Sequence, residues 1–251
     1  MSRISSMKHP LVQKARSAGT QFGDSILLQD WAACLWALDA GMTLSTVFVC
    51  EGDAQKDITQ SLQKQQIPFH WTTPGMMQKI KQTKYASPIV ALCDPSTLIK
   101  NTTGKLVLIL DQLQDPGNIG TIIRSARAFG VDHIGLVGPC ALFHKKAISA
   151  SRGHVFTGSY QCFDTVSEAS DYYHTNVYSI VRTAMDANMS LTEAAEAINS
   201  SIALVVGNES DGCDSAWSDC ANHSISIPMD DRVESLNVGV AASLCCYALS
   251  R

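Results

Sequence analysis

Apolar and polar residues in the segment 106–131 follow a strand-turn-helix pattern. Residues 106–110 are a continuous apolar run, which is typical of a strand covered on both faces in a parallel sheet. Pro116 and Gly117 end the run, Asn118 is expected to cap a helix, and Gly130 stands where a helix-ending glycine is common. Apolar residues recur at helical spacing at Ile119, Ile122, Ile123, Ala126 and Phe129. The segment predicts a β-α unit whose turn is open to a ligand.

Arg124 and Arg127 lie on the polar side of this predicted helix. Because a helical side chain leans toward the helix N-terminus, we expect Arg124 to reach back over Gly120 toward the turn. Backbone N–H groups at such a turn and an arginine beside them both bind anions. The unit therefore indicates a site for an anionic substrate such as a phosphate.

The first 93 residues alternate short helical and strand patterns, which predicts a small α/β domain. Helices are expected at residues 10–15, 31–40, 58–65 and 76–81, and strands at residues 25–28, 46–50, 69–71 and 89–92. The stretch 94–104 is polar and rich in turn residues. It is the predicted boundary between two domains, 1–95 and 104–251.

The second domain is predicted to be α/β as well, with a parallel sheet. Strands are expected at residues 105–110, 134–137, 177–181, 202–206 and 224–227, and helices at residues 118–129, 191–199 and 236–249. Such alternation favours a sheet covered on both faces, with its ligand site at the carboxyl ends of the strands.

The composition is that of an ordinary globular protein, since 45% of the 251 residues are hydrophobic and 17% are charged. The nine cysteines include no Cys-x-x-Cys pair, so reduced, buried thiols are expected. Cys213, Cys220 and His223 are the best metal candidates, but their loose spacing and the missing fourth ligand predict no metal. A signal-peptide pattern and a bilayer-length apolar run are both missing, so a cytoplasmic protein without membrane association is expected.

The net charge of −4 argues against a broad nucleic-acid-binding surface, but the bases are unevenly distributed. Residues 164–234 are strongly acidic, whereas two earlier segments are basic. The basic residues of those segments are Arg3, Lys8, Lys14, Arg16, Arg124, Arg127, Lys145, Lys146 and Arg152. From charge alone, a groove for a polyanion and an ordinary solvated face explain them equally well.

Polar residues also follow three of the predicted strands, in the segments 118–124, 207–212 and 227–237. Each segment has a plain structural explanation when it is taken singly. Asn118 and Asn237 fit helix caps, Glu209 fits a surface turn, and Pro228 fits the end of a strand.

Together, the three segments resemble the motifs of the SpoU/TrmH-type ribose 2′-O-methyltransferases of the SPOUT superfamily. The first motif is Asp-Pro-Gly-Asn-x-Gly-x-x-x-Arg-x-Ala at 115–126, and the second is Gly-x-Glu-x-x-Gly at 207–212. The third is Ile-Pro-Met at 227–229, followed by Ser-Leu-Asn-Val at 235–238. Residues 5–92 resemble the substrate-binding domain, related in fold to ribosomal protein L30e, that precedes many of these catalytic domains.

This resemblance implies a trefoil-knotted α/β fold for residues 104–251 and methyl transfer from S-adenosylmethionine to a ribose 2′-hydroxyl of RNA. It also implies an obligate homodimer with each active site at the subunit interface. The cofactor residues that it implies are Gly207, Ile227, Pro228, Met229, Leu236 and Asn237.

Arg124 is the residue that the resemblance implies as catalytic. Because a guanidinium holds its proton tightly, we expect Arg124 to bind a phosphate and stabilise the developing alkoxide, not to act as a base. The residues expected to orient the reacting groups are Asn118, Glu209, Ser235 and Asn237. RNA is expected to contact Arg3, Lys8, Lys14, Arg16, Arg127, Lys145, Lys146 and Arg152.

Large-subunit ribosomal RNA is the expected substrate because of the L30e-like N-terminal domain. A transfer RNA 2′-O-methyltransferase and a non-catalytic RNA-binding homologue are the alternatives. A dinucleotide-binding enzyme is disfavoured because the chain lacks Gly-x-Gly-x-x-Gly at the turn near Gly117. A serine hydrolase is disfavoured because Ser210 stands one residue too late for a nucleophile elbow.

Overall fold

A computed structural model describes residues 2–21, 25–52, 55–85, 87–98, 104–185, 187–208 and 210–250 of the chain. Glu209 and residues 99–103 of the predicted boundary lie outside this description. The described residues form two β-sheets, one before and one after that boundary.

The first sheet contains β1 (Ile26–Leu28), β2 (Leu44–Cys50), β3 (His70–Thr72) and β4 (Ile89–Cys93). Its order is β1-β4-β2-β3, with β4 antiparallel to both of its neighbours and β2 parallel to β3. Its helices are α1 (Pro10–Arg16), α2 (Trp31–Asp39), α3 (Lys56–Lys64) and α4 (Pro74–Lys81). Every element expected in this part is present, with ends within two residues of the prediction.

The second sheet has seven strands, which are β5 (Leu106–Asp111), β6 (His133–Val137), β7 (Ser159–Phe163), β8 (Ser179–Thr183), β9 (Met189–Ser190), β10 (Ile202–Val206) and β11 (His223–Ser226). Their order is β7-β6-β5-β10-β8-β11-β9, and every pairing is parallel. The helices around it are α5 (Pro116–Ala128), α6 (Lys145–Ala150), α7 (Val166–Thr175), α8 (Leu191–Ala197), α9 (Trp217–Cys220) and α10 (Val238–Leu249). Two short 3₁₀ helices span Pro95–Leu98 and His154–Phe156. The expected α/β class with a parallel sheet is confirmed.

Residues of β5 alternate between two apolar layers, which explains its continuous hydrophobic run. Leu108 and Leu110 pack with Ile122 on the side of α5 and α10, whereas Val107 and Ile109 pack in the layer of α7 and α9. Because both faces of this strand are buried, a polar residue at any of these positions would lose its hydration without gaining a partner.

Helix α5 begins at Pro116, two residues before the expected start, and the assignment of Asn118 as its N-cap was wrong. Asp115 is the cap, since its Oδ1 accepts from the Asn118 N–H at 2.9 Å. Pro116 occupies the first helical position, where its fixed φ and missing N–H fit best. Gly130 follows the helix with a φ of 78°, as expected for a helix-ending glycine.

Further differences from the expected elements lie between β6 and α8. The sequence did not predict α6, β7, α7 or β9, nor α9 further along, and β8 was expected to begin two residues early, at position 177. Val177 has a φ of 65°, so it belongs to the left-handed turn that leaves α7 and not to a strand. Cys162 was expected to be buried, but its strand β7 lies at the sheet edge and leaves it exposed.

The two sheets are joined by direct contacts and share one apolar core. The Phe143 N–H donates to the Thr20 carbonyl at 2.9 Å. Trp36 of α2 lies so close to Gly153 that a Cβ at that position would overlap the indole. These contacts place the N-terminal sheet against α6 and the 3₁₀ helix that follows it.

Candidate active site

A cavity of about 430 Å³ opens at the carboxyl ends of β8, β10 and β11. Parallel strands of an α/β sheet leave their last N–H and C=O groups unpaired at this edge, so it is the usual place for a ligand. The residues predicted for the site that line it are Gly207, Ile227, Met229, Ser235 and Leu236. The second and third motifs are therefore brought together around one cavity.

The loop that follows β10 is closed tightly on itself. Asn208 and Gly212 exchange two backbone hydrogen bonds, of 2.9 and 3.1 Å, and Asn208 Oδ1 accepts from the Ser210 N–H at 2.7 Å. A Cβ at Gly207 would overlap the backbone of Gly212 and Cys213. Only glycine fits at position 207. Because glycine carries no side chain, its backbone is exposed to the cavity. Glu209, in the middle of this loop, lies outside the described residues.

Asn237 connects the third motif to the first. Its Oδ1 caps α10 by accepting from the Gly239 N–H at 2.9 Å, and its Nδ2 donates to Asn118 Oδ1 at 3.1 Å. Behind this pair, α10 approaches α5 so closely that a Cβ at Gly239 would lie 3.4 Å from Thr121 Cγ2. Asn118 and Asn237 sit beside the cavity without lining it, and Pro228 is exposed outside the cavity wall.

The turn before α5 is held by an ion pair. Lys146 Nζ donates to Asp115 Oδ2 at 2.8 Å, and this bond, together with the Asn118 N–H, keeps the Asp115 pKa below its usual value. Lys146 therefore contributes to the position of the first motif. Lys146, one of the predicted RNA contacts, is thus engaged within its own chain.

Arg124 is exposed on α5 and does not line the cavity of its own chain. Among the described residues it has neither a hydrogen bond nor an ion pair. Arg127, one turn further along, is four-fifths buried in an ion pair with Asp132. The two arginines thus differ, since Arg127 is held within its own chain and Arg124 points outward.

The other predicted RNA contacts are divided between two surfaces. Arg3 forms an ion pair with Glu51 at 2.6 Å. Lys8, just before α1, and Lys14, within α1, are exposed. The three remaining bases, which are Arg16, Lys145 and Arg152, lie where the two sheets meet.

Several residues of the cavity wall were not predicted from the sequence, among them Arg182, Cys213 and Val238. The Cys213 thiol donates to the Thr183 carbonyl at 3.3 Å, and burial raises its pKa to about 11. Arg182 and Thr183 stand at the end of a strand, the same signal that marked the three motifs. Within the described part of the chain, no group of three or more His, Cys, Asp or Glu is placed to hold a metal ion. The helices described are all too short or too polar to cross a bilayer.

Curated proteins of known family are similar to this chain. It is 32% identical over 171 residues to the 23S rRNA (guanosine(2553)-2′-O)-methyltransferase RlmP of Bacillus subtilis, with 68% of this chain and 67% of that protein covered. It is 31% identical to a putative TrmH family tRNA/rRNA methyltransferase of Staphylococcus aureus, with 78% and 79% covered. Other relatives are matched over little more than half of their length, such as the uncharacterized tRNA/rRNA methyltransferase slr1673 of Synechocystis, at 53%.

Solved structures share the fold across nearly the whole chain. A crystal structure of an RNA 2′-O ribose methyltransferase has 26% identity and a TM-score of 0.72, with 99% of this chain and 98% of that chain covered. The SpoU methyltransferase AviRb from Streptomyces viridochromogenes, in complex with AdoMet, has 20% identity and a TM-score of 0.79, with 97% of each chain covered. The model of the SpoU rRNA Methylase family matches residues 105–247, which include all three motifs. The chain belongs to the SpoU rRNA methylase family.

Proposed function

We propose that the protein is an S-adenosylmethionine-dependent methyltransferase that acts on a ribose 2′-hydroxyl of large-subunit ribosomal RNA. The observation that carries this proposal is the single cavity at which the second and third motifs meet, with the Asn118–Asn237 bond beside it. Family membership supports the activity. The names of the relatives RlmP and RlmB support 23S ribosomal RNA as the substrate.

The cavity is suited to this cofactor in size and in lining. Its volume of about 430 Å³ lies within the range of small-molecule pockets, roughly 300–1,000 Å³. Ile227, Leu236 and Val238 offer apolar surface for an adenine ring, while the backbone around Gly207 offers hydrogen-bonding groups for polar atoms. When bound, S-adenosylmethionine supplies an activated methyl group on a sulfonium.

The residues of the chain then have to position the 2′-hydroxyl and stabilise the charge that develops on it. Arg124 is the proposed donor to the adjacent phosphate and to the alkoxide, since an arginine keeps its charge throughout. Asn118, Ser235 and Asn237 are proposed to orient these groups. Glu209 is the remaining residue proposed to orient these groups, and its assignment rests on the sequence motif alone.

A homodimer explains why Arg124 is exposed and does not line the cavity of its own chain. The proposal is that Arg124 of one subunit completes the site of the other, which fits the active site at the subunit interface that the family resemblance implies. Helix α10 offers a matching surface, because Val240, Leu244 and Tyr247 recur at helical spacing and are 48%, 42% and 46% exposed. Such an apolar stripe beside the active site is typical of a subunit interface.

We further propose that the chain has two domains packed on a shared apolar core, 1–95 for RNA binding and 104–251 for catalysis. The exposed bases Lys8, Lys14 and Arg16 support an electrostatic contact of the first domain with RNA. The cytoplasm stays the predicted location, and the trefoil knot stays a prediction as well.

The test is methyl transfer from radiolabelled S-adenosylmethionine to transcripts of 23S, 16S and transfer RNA, with the modified ribose mapped by primer extension at low nucleotide concentration. Label in 23S RNA at a 2′-O position is expected. Label in transfer RNA instead would favour the alternative substrate. RNA binding without any methyl transfer would favour the non-catalytic homologue.

A further inference from the structure

A second pocket lies at the junction of the two sheets, away from the candidate active site. It has a volume of about 110 Å³, and both halves of the chain contribute to its wall. Helices α1 and α4 supply Arg16 and Lys81, and the start of α6 supplies His144 and Lys145. Residues 18–20 line the same space.

Charge in this pocket is of one sign. The described residues of the wall include three cationic side chains, Arg16, Lys81 and Lys145, together with His144, and no carboxylate. Lys81 is half-buried, and its pKa is lowered by burial and by the charge of Lys145, while Asp30 acts in the opposite direction. Asp30 is engaged as the cap of α2, where it accepts from the Ala33 N–H at 2.8 Å. Like charges that face one another at partial burial are unfavourable, and a bound anion would relieve that repulsion.

Hydrogen bonds hold the wall of the pocket in place. The bond from the Phe143 N–H to the Thr20 carbonyl, 2.9 Å long, joins the two halves of the chain at its edge. Nδ1 of His144 accepts from the Lys146 N–H at 3.2 Å, so the neutral imidazole carries its hydrogen on Nε2 and remains a donor. The basic groups are therefore presented by a formed pocket and not by a loose surface.

We propose that this junction pocket binds one phosphate of the RNA backbone, which both domains contact at the same time. The inference rests on the proposed function for its RNA. It goes further by giving one phosphodiester a defined place and by adding Lys81 and His144 to the RNA-contacting residues. A phosphate held between α1, α4 and α6 also fixes the angle at which the N-terminal domain presents RNA to the catalytic cavity.

Inorganic phosphate is the first probe, because it tests the pocket without any assumption about the RNA. The full chain is titrated with phosphate at constant ionic strength, and the backbone amides of Gly19, Thr20 and Gln82 are followed by NMR. A saturable shift is expected in the wild type, with affinity reduced at least tenfold in Lys81→Gln and Lys145→Gln. Lys64→Gln, which removes an exposed charge at the end of α3, is the matched control and keeps wild-type affinity. No saturable shift in the wild type, or equal affinity in all three variants, overturns the proposal.

The second probe is 23S RNA, whose affinity is measured against salt concentration. Lys81→Gln and Lys145→Gln are each expected to flatten the slope of log K against log salt by roughly 0.7 to 0.9, whereas Lys64→Gln leaves it unchanged. Phosphate binding without a change in that slope overturns the assignment of the pocket to RNA. If the wild-type protein methylates no RNA, the proposed function fails, while the phosphate titration still decides the pocket.

Discussion

Asn237 Nδ2 donates to Asn118 Oδ1 across 3.1 Å and joins two motifs that are 119 residues apart in the chain. The bond ties the first turn of α5 to the N-terminus of α10, the helix that Asn237 also caps. Neither side chain lines the cavity, but Leu236 and Val238 on either side of Asn237 do. The Asn118–Asn237 bond therefore sets where the third motif meets the turn of the first.

A double-mutant cycle on this pair measures that coupling. Asn237→Ala is expected to lower the free energy of unfolding by about 1 to 2 kcal/mol, because it also removes the cap of α10. Asn118→Ala should lower the free energy of unfolding by less than Asn237→Ala does. The loss in the double variant should be smaller than the sum of the two single losses by roughly 0.5 to 1.5 kcal/mol. The measurement is urea unfolding at one protein concentration, with methyl transfer assayed alongside. Additive effects would contradict a direct interaction between the two amides.

Gly207→Ala is expected to abolish cofactor binding, because the new Cβ would overlap the backbone of Gly212 and Cys213 and force the loop after β10 to open. Calorimetry with S-adenosylmethionine measures the loss. Gly75→Ala is the control, since a Cβ at that position in α4 has no neighbour within 4 Å and helix propensity favours alanine. Wild-type affinity in Gly207→Ala would show that the loop does not form the cofactor site.

Arg124→Ala is expected to leave folding and cofactor binding unchanged, because the side chain is exposed and lies outside the cavity wall. Methyl transfer should fall by about 10²- to 10³-fold in single turnover, as is typical when one charge-stabilising donor is removed. Arg124→Lys should recover part of the rate, since lysine keeps the charge but not the planar pair of donors. Retention of most activity in Arg124→Ala would remove the assigned role.

The strands and helices that carry a long apolar stretch could be predicted from the sequence. β5 is buried on both faces and is therefore a continuous apolar run, and α10 consists mostly of apolar residues. Asp115 and Asn118 are both good helix caps, and only the position of Pro116 decides between them, so the N-cap of α5 was predicted three residues late. The strand β7 was missed because it lies at the sheet edge and carries a mixture of polar and apolar residues.

The sequence could predict residues of the candidate site only where polar residues directly follow a predicted strand. Gly207 and Ile227 could be assigned to it from their motifs, and the structure places them in one cavity. Arg182 and Cys213 were not assigned to it, although Arg182 directly follows a predicted strand, because their place at this cavity depends on the order β10-β8-β11, in which strands distant in sequence become neighbours. No local pattern encodes that order. The Asn118–Asn237 bond depends on the same long-range packing, between α5 and α10.

Leu244→Lys tests the proposed dimer, because it places a charge in the middle of the apolar stripe on α10. The variant is expected to be monomeric at micromolar concentration by light scattering, and to lose methyl transfer if Arg124 acts on the partner's site. Tyr85→Glu is the control, since Tyr85 is 81% exposed in the N-terminal domain. A Leu244→Lys protein that remains dimeric would exclude this face of α10 as the interface.

His133 makes the stability of the catalytic sheet dependent on pH. Its ring is fully buried in β6, between Ser159 Oγ and Tyr173 Oη at 3.2 Å each, and burial lowers its pKa to about 4. Since an unfolded histidine titrates near pH 6.5, the stability that the neutral ring contributes is complete above that pH and is lost as the pH falls toward 4. The loss should reach about 3 kcal/mol at most.

His133→Asn isolates this contribution, because it removes the titrating group while leaving a polar side chain near Ser159 and Tyr173. The free energy of unfolding should be lower than that of the wild type at pH 7, where the imidazole packs and hydrogen-bonds as the neutral form. The curves of unfolding free energy against pH for the wild type and the variant should converge as the pH falls from 6.5 to 4. Only in the wild type does the residue at position 133 take up a proton when the chain unfolds. His174→Asn, which alters an exposed histidine on α7, should keep the wild-type slope. Parallel curves for His133→Asn and the wild type would mean that the buried ring does not control acid unfolding.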